Sequence, residues 1–176
     1  MALIDIQQKL NQQWLKRAYI VAKNCSNDPN TQVGSCLVHN NSLVAFGANS
    51  FPKGVISTDQ RKSKELKGYY LEHAERNSIF FASRVTNLFQ NKWHELTLYA
   101  PYFSCADCGK AIIQSGIKKV IGHKQICDMA PDRWKVSIEC ALEMFREAGV
   151  EYSYYDGKID DKNELFIIFD GKKYYP

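Results

Sequence analysis

Between Asp5 and Lys23, the residues Ile6, Leu10, Trp14 and Ala18 recur every four positions and Val21 closes the stripe, a spacing that predicts an amphipathic helix. The string CSNDPNT (Cys25 to Thr31) ends it, because Pro29 and its polar neighbours favour turns. Next come two apolar runs, VGSCLVHNN and SLVAFGANS, joined at Asn40–Asn41, which read as a β-hairpin. Pro52 to Tyr70 is polar and punctuated by glycine, the pattern of a mobile loop. The spacing from His73 to Arg84 predicts a helix that buries Ala74, Ile79, Phe80 and Ala82.

From there the pattern alternates. TLYA (Thr97 to Ala100) predicts a strand, CADCGKAIIQSG a helix capped by Gly116, and KKVIG a strand. DRWKVSIECALEMFREAG predicts a helix ending at Gly149, VEYSYY a strand, and ELFIIF a further strand or short helix. Strands alternating with helices argue an α/β three-layer sandwich, a largely parallel sheet with helices on both faces, opened by an antiparallel hairpin. No internal repeat or linker interrupts the chain, so residues 1–176 are expected to form a single domain.

Composition narrows the class. The chain carries 23 Lys and Arg against 19 Asp and Glu, a mild net charge of +4. The local basic excess is Arg61-Lys62-Ser63-Lys64 with Lys67, which suits either a solvated loop or the entry rim for an anionic ligand. No basic stretch is interleaved with stacking aromatics, so a small anionic substrate is favoured over nucleic acid. No apolar run approaches the roughly 18 to 20 residues that span a bilayer, and the N-terminus has no signal-peptide core. Six cysteines are too sparse for a disulfide scaffold, so a cytoplasmic protein with reduced thiols is expected.

The candidate chemistry lies in His73, Glu75, Cys105 and Cys108. Zinc prefers nitrogen and sulfur ligands, and a catalytic zinc keeps three protein ligands and an open position. Cys105 and Cys108, at i and i+3 where a helix begins, fall on one face, where the helix N-terminus favours thiolates. His73 opens its own helix, and Glu75, two positions on, suits a proton shuttle rather than a ligand. A lone Cys-x-x-Cys is as often structural or redox, and a lone His-x-Glu is commonplace. His-x-Glu opening one helix and Cys-x-x-Cys opening the next is, however, the zinc deaminase signature.

On SNDPNTQVGS, GANSFPKG, EHAERNSI, CADCGKAIIQSGIKKVI and DRWKVSIECALEMFREAGV, the chain resembles the cytidine and deoxycytidylate deaminase superfamily, its deoxycytidylate (dCMP) branch above all. The resemblance implies a five-stranded mixed sheet flanked by helices and hydrolysis of dCMP to dUMP, supplying thymidylate synthesis. It implies one Zn2+ per chain held by His73, Cys105 and Cys108, with Glu75 shuttling the proton. Asn49 would hydrogen-bond the sugar or base, Ala74 would offer backbone groups to the pyrimidine edge, and Ser26 would help hold the 5′-phosphate. For Ser26 and Thr31, plain turn chemistry is the equal alternative. Many members are homo-oligomers, often hexamers, activated by dCTP and inhibited by dTTP, with Mg2+ accompanying such nucleotides. In that case Gly47, Pro52 and Gly54 would belong to the effector site; otherwise the glycines merely allow a tight loop.

Three departures stand out: Ser104 replaces the proline before the first cysteine, Ser35 replaces a frequent alanine, and Val55 to Leu71 lacks the cysteine or histidine of a second zinc site. The remaining cysteines, Cys25, Cys36, Cys127 and Cys140, read as small core hydrophobes. Two other readings stay open: a tRNA adenosine type of nucleic-acid deaminase, and a degenerate deaminase whose zinc is only structural. Glu72 reads as a helix-start acid, and Arg76 and Asn77 have no assigned task.

Overall fold

The computed structural model describes residues 2–85 and 92–176. Helix α1 (Ala2–Cys25) leads into the hairpin of β1 (Gly34–His39) and β2 (Ser42–Ala48). The turn residues Asn40 and Asn41 both adopt positive φ (46° and 58°), and the strands meet at His39 and Ser42. Such paired left-handed residues match the twist of a two-residue hairpin. There follow α2 (Lys67–Tyr70), α3 (Ala74–Val85), β3 (Thr97–Tyr99), α4 (Ala106–Ser115), β4 (Lys119–His123), α5 (Lys124–Cys127), α6 (Lys135–Ala148) and β5 (Glu151–Tyr155). A second hairpin, β6 (Ile167–Phe169) and β7 (Lys172–Tyr174), forms a separate two-stranded sheet.

The main sheet has five strands in the order β2-β1-β3-β4-β5. β1 pairs antiparallel with both β2 and β3, whereas β3, β4 and β5 run parallel, so the sheet is evenly mixed rather than largely parallel. Alternate residues of each strand feed opposite faces, as the pleat requires. Cys36, Val38, Tyr99 and Ile121 pack with α1, α5 and the β6–β7 hairpin. Leu37, Leu98 and Val120, one position away, pack with α3, α4 and α6. Helices on both faces make the sandwich.

Several expectations are corrected. Phe80 is 48 % exposed while Ala74, Ile79 and Ala82 of the same helix are buried. Cys25 and Cys140 are exposed, unlike buried Cys36 and Cys127. The 52–70 segment contains a 3-10 turn at Gln60–Lys62 and the short α2, not a plain loop. α5 was not legible in the pattern, and ELFIIF supplies a strand of the second hairpin. Gly116 and Gly149 end α4 and α6 in the left-handed conformation, as their spacing predicts.

Gly47 lies within β2, not in the loop beyond it. A Cβ there would sit 2.2 Å from the Ala74 carbonyl oxygen and 2.4 Å from the Ser78 nitrogen. Only a residue without a side chain lets α3 lie this close on the sheet.

Candidate metal centre and cavity

His73 immediately precedes α3, and its carbonyl accepts the Asn77 N–H at 2.9 Å, so it opens the helix. Cys105 is the N-cap of α4 with Cys108 one turn in. These helices pack side by side on one face, which brings their starts together. Ligand atoms of His73, Cys105 and Cys108 lie within 4.8 Å of one another. His73 Nδ1 is 3.5 Å from each sulfur. With Zn–N near 2.0 Å and Zn–S near 2.3 Å, a tetrahedral nitrogen and sulfur stand about 3.5 Å apart, so this donor set fits zinc.

Three of the four residues in this constellation are well buried: Cys108 at 0 %, Glu75 at 3 % and Cys105 at 8 % exposure. The Cys105 thiol is brought down to about 4, chiefly by its hydrogen bond with Cys108 and also by His73, against the opposing effect of burial. The shared hydrogen bond and burial push Cys108 the other way. Burial raises the Glu75 carboxyl above its ordinary value although His73 opposes it. A carboxyl so placed holds a proton more readily than an ordinary glutamate and can both accept and return one.

The residues around the cluster acquire tasks. Glu72 accepts the His73 N–H at 2.9 Å and also binds the Arg76 guanidinium, while Arg76 feels the charges of both thiols. Arg76 is thus a permanent cation beside the two cysteine sulfurs. Asn77 Nδ2 donates to the Ala48 carbonyl at 2.8 Å and to Ser50 Oγ at 3.1 Å, tying α3 to the end of β2. Ser35 Oγ donates to the Ala74 carbonyl at 2.7 Å, a brace that alanine could not make.

His73, Glu75 and Cys105 open into a cavity of about 610 Å3. Its apolar wall includes Val33, Leu71, Phe103, Trp134 and Ile138, and Trp134 meets the His73 ring edge-on at 6.2 Å between centroids. Asn49 lines it too, with Lys64, Lys67 and Arg133 as cations and Asp28 and Asp170 as anions. The basic segment therefore splits: Lys64 and Lys67 face the cavity, whereas Arg61 lies over the Tyr70 ring and donates to the Ile56 carbonyl. Tyr102, Phe103, Arg133, Trp134 and Asp170 had no spacing signal, because the fold alone carries them to one place.

Two expected site residues are placed elsewhere. Neither Ser26 nor Ala74 lines the cavity. Ser26 Oγ donates to the Asn49 carbonyl at 3.1 Å and accepts the Asp28 N–H at 3.2 Å, the turn chemistry weighed against a phosphate role. Ala74 donates its N–H to Asn49 Oδ1, so it has no amide hydrogen left for a pyrimidine edge. Gly47, Pro52 and Gly54 also lie outside the cavity lining, and Gly47 is covered by α3.

Residues 8–124 match the family model of the cytidine and deoxycytidylate deaminase zinc-binding region. An uncharacterized deaminase of Aliivibrio fischeri is 34% identical over 144 residues, covering 80% of this chain and 92% of that protein. The deoxycytidylate deaminase of Pongo abelii is 38% identical over 155 residues, covering 82% and 78% respectively. Among solved structures, the dCMP deaminase of cyanophage S-TIM5 in apo form shares the fold, with a TM-score of 0.63 at 22% identity over 83% of this chain and 97% of that one.

Proposed function

The chain belongs to the cytidine and deoxycytidylate deaminase family, and from that premise we propose that it hydrolyses dCMP, with water, to dUMP and ammonia. The observation that carries this reading is buried Glu75 opening into the same cavity as His73 and Cys105, with Lys64, Lys67 and Arg133 around it. In this reading residues 1–176 act as a single deaminase domain.

His73, Cys105 and Cys108 would hold the zinc ion. Bound there, zinc supplies the Lewis acidity that makes water a nucleophile near neutral pH. Glu75 takes a proton from the attacking water and delivers it to the departing exocyclic amine, so its raised pKa suits both halves of the task. Trp134 and Phe103 offer flat apolar faces to a pyrimidine and keep bulk water from it. Asn49 has one amide hydrogen and one oxygen lone pair beyond its internal bonds, which serve a sugar or base. The cations favour a ligand carrying phosphate.

Control by dCTP and dTTP, with Mg2+ on the effector, and a homo-oligomeric, cytoplasmic enzyme extend the same reading. An effector at Pro52 and Gly54 would bind apart from the substrate cavity.

The test incubates zinc-loaded protein with dCMP, deoxycytidine, dCTP and cytidine. We expect dCMP to lose its amine, and Glu75→Gln to retain zinc while losing at least about 100-fold in turnover. If no nucleotide is deaminated, or the variant is as active as wild type, the reading fails.

A further inference from the structure

The cavity holds two acid–base pairs of very different character. Lys67 Nζ binds both oxygens of Asp28, at 2.8 and 2.9 Å. Asp28 also accepts the N–H groups of Asn30 and Thr31, and its side chain is 8% exposed. This pair is built into the wall; withdrawing Lys67 would leave a buried carboxylate without its cation. Arg133 and Asp170 differ. Their side chains are 58% and 51% exposed, and in such surroundings an ion pair is worth little and exchanges readily.

Asp170 is nevertheless held in place by its backbone. It occupies the tip of the β6–β7 hairpin, where Asp170 and Gly171 both take positive φ (49° and 79°). The Gly171 N–H donates to the Asn30 carbonyl at 2.8 Å and pins the tip to the turn after α1. Tyr102 lines the same cavity, feels the charges of both Arg133 and Asp170, and has a buried hydroxyl without a partner. The Asp170 carboxylate thus accepts from one nitrogen of the Arg133 guanidinium, which sits beside an unspent donor, an arrangement that an oxyanion ligand would seek. Both Arg133 and Asp170 lie beyond the family-matched residues 8–124.

We propose that Arg133 reads the 5′-phosphate of the nucleotide and that Asp170 is its counter-ion in the free protein, given up when phosphate arrives. The inference rests on the nucleotide reading above. A phosphate dianion outcompetes a single carboxylate for the fork, whereas an uncharged nucleoside leaves the pair closed. Arg133 therefore favours nucleotides over nucleosides, and Asp170 moderates how tightly a nucleotide is held.

The experiment is calorimetric titration of dUMP and deoxyuridine into zinc-loaded wild type, Arg133→Gln, Arg133→Lys and Asp170→Asn. Wild type should bind dUMP more tightly than deoxyuridine. Arg133→Gln should weaken dUMP about tenfold or more, Arg133→Lys should recover part of that loss, and Asp170→Asn should tighten dUMP several-fold. A merely structural ion pair predicts that Arg133→Gln and Asp170→Asn weaken binding together, and that result overturns the proposal. So does an Arg133→Gln variant that binds as wild type does, or a wild type that binds no dUMP. Turnover of dCMP by wild type reads the deaminase function separately: opposite shifts without turnover sink that reading and leave the phosphate site standing.

Discussion

Asn49 clasps Ala74: its Oδ1 accepts the Ala74 N–H at 3.0 Å while its Nδ2 donates to the Thr31 carbonyl at 3.1 Å. One buried amide so joins the end of β2, the turn after α1 and the start of α3. Asn49→Ala would strand the buried Ala74 N–H and lower stability by about 1–3 kcal/mol. Because Ala74 lies between His73 and Glu75, kcat/KM for dCMP should fall too. Urea unfolding and steady-state kinetics on the zinc-loaded variant check both.

Gly47 carries the other side of that junction. In Gly47→Ala the new methyl meets backbone atoms of α3 at 2.2 and 2.4 Å, and backbone cannot step aside as a flexible side chain would. A loss of about 3 kcal/mol or more is expected, with poor soluble yield. A unfolding midpoint within experimental error of wild type would refute the steric argument.

Stability should also depend on zinc. The His73–Cys105–Cys108 cluster is preformed, so a metal binding the native state alone stabilises it by mass action. Free zinc at 1,000 times its dissociation constant adds about 4 kcal/mol. Melting with and without a chelator should show a large downward shift that Cys108→Ser abolishes.

A pH effect comes from His123, whose ring packs against Tyr19 and Tyr155. Its Nε2 faces the Gly157 carbonyl at 2.9 Å and must carry the proton, leaving Nδ1 to accept from the Tyr19 hydroxyl at 2.7 Å. That is the neutral ring, and burial lowers its pKa from the ordinary 6.5. The unfolded chain therefore binds a proton more readily, so this contribution is complete above pH 6.5 and is lost as pH falls below it. With zinc saturating, the urea midpoint should drop between pH 7.5 and 5.5, and His123→Gln should flatten that drop.

What the sequence conveyed was local. The four-residue recurrence in α1, the Asn40–Asn41 turn and the glycine caps are signals a short window contains, and each appears where expected. The metal cluster was legible because helix starts impose its spacing. Phe80 was misjudged because α3 rests on β2 through small residues and leaves the Phe80 side uncovered. Ser26 and Ala74 entered as site residues through the family resemblance alone, and neither lines the cavity. Their hydrogen bonds go to Asn49 and Asp28, partners that only the folded chain supplies. Arg133 and Asp170 were silent, since nothing in either segment encodes their meeting.

The Gln32 N–H bonds the Ile168 carbonyl at 2.7 Å, and the Gln32 side chain accepts the Ile168 N–H at 2.8 Å, sealing the second hairpin against the early turn. Synthesis delivers these partners in a fixed order. Every proposed zinc ligand has emerged by residue 108, while Arg133, Trp134 and Asp170 have yet to be made. Translation therefore makes the proposed metal ligands before it makes the aromatic and charged wall of the cavity they face.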